Sequence, residues 1–217
     1  MSNAIAVAVL CCLLLSSCHR FNGPGAKGSG NEKTEQRTID EFTLVEIAGA
    51  FTVTITCGTM PGVNVTADDN LLPLIKTEVR GSKLKIYPNE DISPKRDIVI
   101  SISAVQVSQV SVSGVASVKI ENVDTESLSL VVSGAGSMEA QGKVEYATFV
   151  ASGVGSMSAE NLHAANARVT MSGAGKADVY ATEELVVNIS GAGAVHYYGD
   201  PKHVTRNISG VGFVTKK

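Results

Sequence analysis

Six Ser-Gly dipeptides recur along the second half of the chain, at Ser113-Gly114, Ser133-Gly134, Ser152-Gly153, Ser172-Gly173, Ser190-Gly191 and Ser209-Gly210. Their spacings of 20, 19, 20, 18 and 19 residues limit the fold more than any other feature. A fixed period of this length marks one turn of a repeating structure that cannot bury its own apolar face and must stack on its neighbours. Superposing the repeats shows what each position does. Five residues after each Ser stand Val118, Met138, Met157, Ala177, Val195 and Val214, and one residue before it stand Val112, Val132, Ala151, Met171, Ile189 and Ile208. Both columns are apolar, whereas the sixth place holds Lys119, Glu139, Ser158, Asp178, His196 and Thr215. Alternation with period two reads as strands with one face inward.

A turn this short suits two or three strands joined by tight corners, which predicts an all-β, right-handed parallel β-helix with like residues stacked about 4.8 Å apart. Glycine is expected at the corner because it reaches positive φ freely and because stacked corners leave little room for side chains. The first half repeats the pattern more loosely. Phe51, Val53 and Ile55 alternate with threonines, short alternating runs continue through Ile102, and Ala48-Gly49-Ala50 resembles a degenerate corner. The segment from Ala67 to Arg80 breaks the alternation with Asp68-Asp69-Asn70 and Pro73, and is expected to be a turn or loop over one end of the coil.

The N-terminus follows a different logic. Ala4 to Leu15 is an unbroken apolar run, of the length of a signal h-region and short for a bilayer span. It ends in Leu15-Ser16-Ser17-Cys18, which resembles the bacterial lipobox and implies lipid attachment at Cys18. Residues 1–17 therefore read as a lipoprotein signal peptide. Residues 18–38, rich in Gly, Ser, Asn and Lys, read as a flexible tether. Residues 39–217 read as one solenoid domain, with irregular coils and a cap over 39–104 and Ser-Gly coils over 105–217. A net charge of −3 with interspersed signs gives no basic stripe for nucleic acid. Cys57 is the single thiol left after Cys11, Cys12 and Cys18 are accounted for, and it sits at a strand end with no His near it in sequence, as a small buried residue would.

The run FTLVEIAGAFTVTITCG, then VNVTADDNLLPLIKTEV, LKIYP and the SGAGS-type corners together resemble the bacterial family named putative auto-transporter adhesin, head GIN domain. The resemblance spans residues 39–217. It implies a β-helix-like fold, an exported location and a tilt toward binding.

Parallel β-helices also carry polysaccharide lyases and hydrolases, which need carboxylates converging from neighbouring coils. Here Asp178, Glu139, Glu160, Glu183, Glu184 and Asp200 read as dispersed, and His163, His196 and His203 occupy different columns, so no metal site is expected. Tyr180, Tyr197, Tyr198 and Phe213 gather toward the last coils. They either stack on sugar rings as a glycan contact or close the end of the core. The sequence reading is a cell-envelope lipoprotein, held to the membrane by lipid on Cys18, that needs no cofactor and binds a glycan or an envelope protein. A carbohydrate-active enzyme is the alternative. His19 and Arg20 after Cys18 favour the periplasmic side of the outer membrane.

Overall fold

The computed structural model describes residues 25–217. Strands β1 (Ala26–Lys27) and β2 (Glu32–Arg37) form an N-terminal arm, followed by β3 (Leu44–Ile47), β4 (Ala50–Cys57) and β5 (Gly62–Asp68). A 3-10 turn at Leu72–Leu74 leads to β6 (Ile75–Arg80), β7 (Lys83–Pro88), β8 (Ile92–Ser93), β9 (Val99–Ala104) and β10 (Gln109–Val112). The repeat region comprises β11 (Val115–Val132), β12 (Ala135–Ala151), β13 (Val154–Met171), β14 (Ala174–Tyr180), β15 (Glu184–Ile189), β16 (Ala192–Tyr198), β17 (His203–Ile208) and β18 (Val211–Lys216). Together they form a β-solenoid of about five turns.

The Ser-Gly corner divides each coil between two parallel ladders. After the corner lies a front ladder of β9, β4, the first parts of β11, β12 and β13, then β14, β16 and β18. Before it lies a back ladder of β7, β3, β10, the latter parts of β11, β12 and β13, then β15 and β17. Period-two alternation sends Val53, Ile55, Val118, Ile120, Met138, Met157 and Val179 inward from the front, and Ile47, Val110, Leu130, Phe149, Val169 and Val187 inward from the back. These residues belong to one continuous buried cluster that runs along the solenoid.

The corners show why glycine recurs there. None of the six repeat-corner glycines, from Gly114 to Gly210, has positive φ. Their reason is close approach alone: a Cβ on Gly153 would overlap the carbonyl oxygen of Gly134, and one on Gly173 the carbonyl of Gly153. Gly49 begins this column, beneath Gly114. The ladder passes through the corner unbroken, with the Ser152 amide donating to the Val132 carbonyl at 2.9 Å and the Val154 amide to the Gly134 carbonyl at 3.0 Å. Positive φ serves a different corner, at Asn122 (φ 58°), where a short polar side chain tolerates the left-handed region.

Two expectations are corrected at the N-terminal end. Within the tether expected over 18–38, Ala26–Lys27 and Glu32–Arg37 are strands, for β1 pairs with β8 and β2 lies antiparallel to β5. With the sequence EKTEQR and nearly every residue exposed, β2 has no apolar face to reveal it. Main-chain pairing holds it, helped by Arg37, whose guanidinium donates to the Ile75 carbonyl at 2.6 Å and the Leu72 carbonyl at 2.8 Å. The segment from Ala67 to Arg80 is a 3-10 turn followed by strand β6, antiparallel to β7. Antiparallel strands thus close this end of both ladders, β6 on the back and then β5 and β2 on the front.

Asp68-Asp69-Asn70 fastens the arm. Buried Asp68 accepts the Gly30 amide at 2.6 Å and the Lys95 amide at 2.9 Å, and Asn70 Oδ1 accepts the Ser29 amide at 2.8 Å. Burial pushes the Asp68 carboxyl up, but the amides of Lys95, Gly30 and Arg96 outweigh it and hold the group below its ordinary value.

Candidate functional site

Outward side chains of the front ladder fall in columns along the solenoid axis, because strands in register repeat the same place in each coil. The last coils concentrate chemistry in two such columns. Asp178 on β14 lies in register with His196 on β16, and Tyr180 with Tyr198. The Asp178 carboxylate, only 7% exposed, contacts His196 Nδ1 at 3.0 Å through Oδ1 and accepts from Lys176 Nζ at 2.7 Å through Oδ2. The hydrogen bond to Asp178 raises the Lys176 pKa against the opposing effect of desolvation, with further help from the charges of Asp178 and Glu160. Glu160 Oε2 is buried and has no hydrogen-bond partner among the described residues.

The aromatic residues divide between two roles. Tyr180 and Tyr198 are half-buried on the outward face, with the His163 ring edge-on to Tyr180 at 4.5 Å between centroids. Phe213 is exposed, 5.9 Å from the His196 ring, and stands two outward columns from Tyr198. Tyr197 points inward. It is 6% exposed, its hydroxyl accepts from Arg206 at 3.0 Å, and the Arg206 guanidinium sits over its ring. Tyr197 therefore cannot offer its face to a sugar, and of the four aromatics it packs the core.

Sequence reasoning missed the Lys176–Asp178–His196 chain, although its signal was available. Asp178 and His196 occupy the same place after successive Ser-Gly corners, and stacking in register brings them side by side. His203 lies apart on the back ladder. The buried Cys57 thiol is pushed up by desolvation, with the Val107 backbone opposing, so it holds little thiolate at neutral pH. Among the described residues no group of three or more His, Cys, Asp or Glu is placed to hold a metal, and no helix is long and apolar enough to cross a membrane. The apolar run from Ala4 to Leu15 and Cys18 lie outside the described residues.

The family described as "Putative auto-transporter adhesin, head GIN domain" matches residues 41–201. No curated protein matches the chain. Among solved structures, a "putative adhesin" from Bacteroides fragilis is similar over 89% of this chain and 100% of its own, with 21% identity and a TM-score of 0.72. A "putative lipid binding protein" from Parabacteroides distasonis is similar over 88% of this chain and 99% of its own, with 26% identity and a TM-score of 0.52.

Proposed function

The chain belongs to the family of putative auto-transporter adhesin head GIN domains, and from that premise we propose that it is a non-catalytic, adhesin-like binding domain of the bacterial cell envelope. Lipid on Cys18 would hold it to the outer membrane, facing the periplasm, with the solenoid projecting from the anchor. A glycan is the ligand class that its outward face suits best.

One observation carries this reading: Tyr180 and Tyr198 stand side by side on successive coils beside the Lys176–Asp178–His196 chain. Tyrosine faces stack on the apolar faces of sugar rings, and fixed polar groups alongside orient the hydroxyls. Both Asp178 oxygens are occupied, so this carboxylate is suited to positioning a ligand rather than to attacking one or trading protons with it. The pair of free, facing carboxylates that a glycosidase uses has no counterpart in this patch.

The test is a glycan array and a peptidoglycan pulldown with the purified chain, beside a Tyr180→Ala/Tyr198→Ala variant. Saturable binding lost in the variant is the expected outcome. A chain that retains no glycan, or binding that survives loss of both tyrosines, would overturn the reading. The name carried by the Parabacteroides relative makes phospholipid vesicles the second ligand class to try.

A further inference from the structure

Five of the large apolar side chains that stand in water share one face. Val99, Val115, Val154, Val211 and Phe213 project outward from the front ladder and are 39%, 63%, 62%, 82% and 56% exposed. A single exposed valine needs no explanation, but a file of apolar groups along a flat, unpartnered sheet does. In the column nearest the Ser-Gly corner, Val115, Ala135, Val154 and Ala174 are successive neighbours, so large and small side chains alternate about every 4.8 Å. The adjoining column is Ser117, Ser137, Ser156 and Lys176 over the same coils, so its one charge is the Lys176 ammonium group, which is paired with Asp178 at 2.7 Å.

We infer that this face is a self-association surface and that its occupant is a second copy of the chain, packed front to front with the two solenoid axes antiparallel. A two-fold axis parallel to the strands, passing between β12 and β13, lays each outward column on its own counterpart in reverse order. Ala135 then faces Val154 of the second copy, and Val115 faces its Ala174, so these two isopropyl groups each meet a methyl-sized gap, while Ala50 faces Ala192 and Val211 lies beyond the alternation. The same axis, fixed by this column alone, places Phe213 opposite Val99 in the next column and Lys119 opposite Asp178 in the third. Phe213 arrives beside a groove of about 550 Å³ lined by Ala50, Pro94 and Val115.

A second copy fits where an arbitrary partner does not, because only an identical ladder repeats at the same spacing and offers the complementary alternation. Small side chains in such stacked ladders form dry, interdigitated contacts. Eight strands and three outward columns cover roughly 750 Å² per copy, close to but not above the ~800 Å² per partner of a standard interface. The dimer is therefore weak and concentration-dependent. Tyr180 and Tyr198 lie one column further toward the other corner of the coil, outside this contact, whereas Lys176, Asp178 and His196 lie within it, so a second copy and a glycan oriented by that chain would compete for this part of the face.

Sedimentation velocity over a concentration series of the purified chain in detergent tests it, with melting temperature as the check on folding. Wild type and Tyr146→Asp, which alters an exposed aromatic on the back ladder, are expected to dimerise equally. Val154→Asp and Ala135→Lys are each expected to raise the dimer Kd at least tenfold. An equimolar mixture of these two variants should dimerise again, because the axis sets the carboxylate introduced in one against the ammonium group introduced in the other. A wild type that stays monomeric throughout, a Val154→Asp dimer as tight as wild type, or a mixture no tighter than its components would overturn the inference.

Discussion

Gly153 illustrates how a single residue type can be required without any unusual dihedral angle. Its Cα hydrogen points at the carbonyl of Gly134 in the coil below, and the same relation recurs from Gly114 to Gly210. A methyl group there has only backbone to displace, and backbone tied into a ladder on both sides cannot yield. Gly153→Ala is expected to destabilise the fold by about 1–3 kcal/mol, the range for overpacking a tight site. A thermal melt of the variant against Ala135→Gly checks this, since Ala135 is exposed and that change opens no cavity. An unchanged melting temperature in Gly153→Ala would mean that the corners are looser than their stacking implies.

At the scale of elements, the N-terminal arm differs from the coils in what holds it. Coils bury apolar columns, whereas β1 and β2 are held by main-chain pairing, by Arg37 and by Asp68. Asp68 makes the arm sensitive to acid. Its folded pKa lies below the ordinary 3.8, so its contribution is fully present above that value and is lost as pH falls through the folded pKa. Amide protection at Gly30 and Lys95, corrected for intrinsic exchange, should fall as pH drops from about 5 to about 2. In Asp68→Asn it should be lower at neutral pH and lose most of that dependence. The arm was not legible in the sequence because a strand with both faces in water carries no hydrophobic period. The Ser-Gly coils were legible because each strand repeats a half-buried pattern against a neighbour with the same pattern. Tyr197 fell between these cases. Val195 points inward, so period two also turns Tyr197 inward, although its place beside Tyr198 in the sequence suggests an aromatic patch. The Asp178–His196 contact was likewise visible as a shared column, and only the stacking of coils turned that coincidence into a 3.0 Å contact.

Across the whole molecule, stability accumulates along one axis, because each coil touches only the coils above and below it. Such a structure should tolerate the loss of a complete coil and fail on the loss of part of one. Removing residues 133–151 joins Val132 directly to Ser152, a deletion of 19 residues that leaves one Ser-Gly corner in place of two. The first part of β11 would then lie beside that of β13, with Val118 and Ile120 meeting Met157 and Ala159, and the inward columns would remain apolar throughout. The shortened chain is expected to fold with unchanged strand content per residue and a lower melting temperature, because one coil and one net coil–coil interface are gone. Removing only residues 133–142 keeps β12 from turning the corner and places the outward residues Lys143 and Glu145 just after Val132. That chain should not give a cooperative melt. Far-UV circular dichroism with thermal unfolding of both deletions decides the matter. If the ten-residue deletion melts as cooperatively as the complete-coil deletion, the coil is not the unit of folding. If the complete-coil deletion is the one that fails, the solenoid depends on its particular sequence of coils rather than on the repeat.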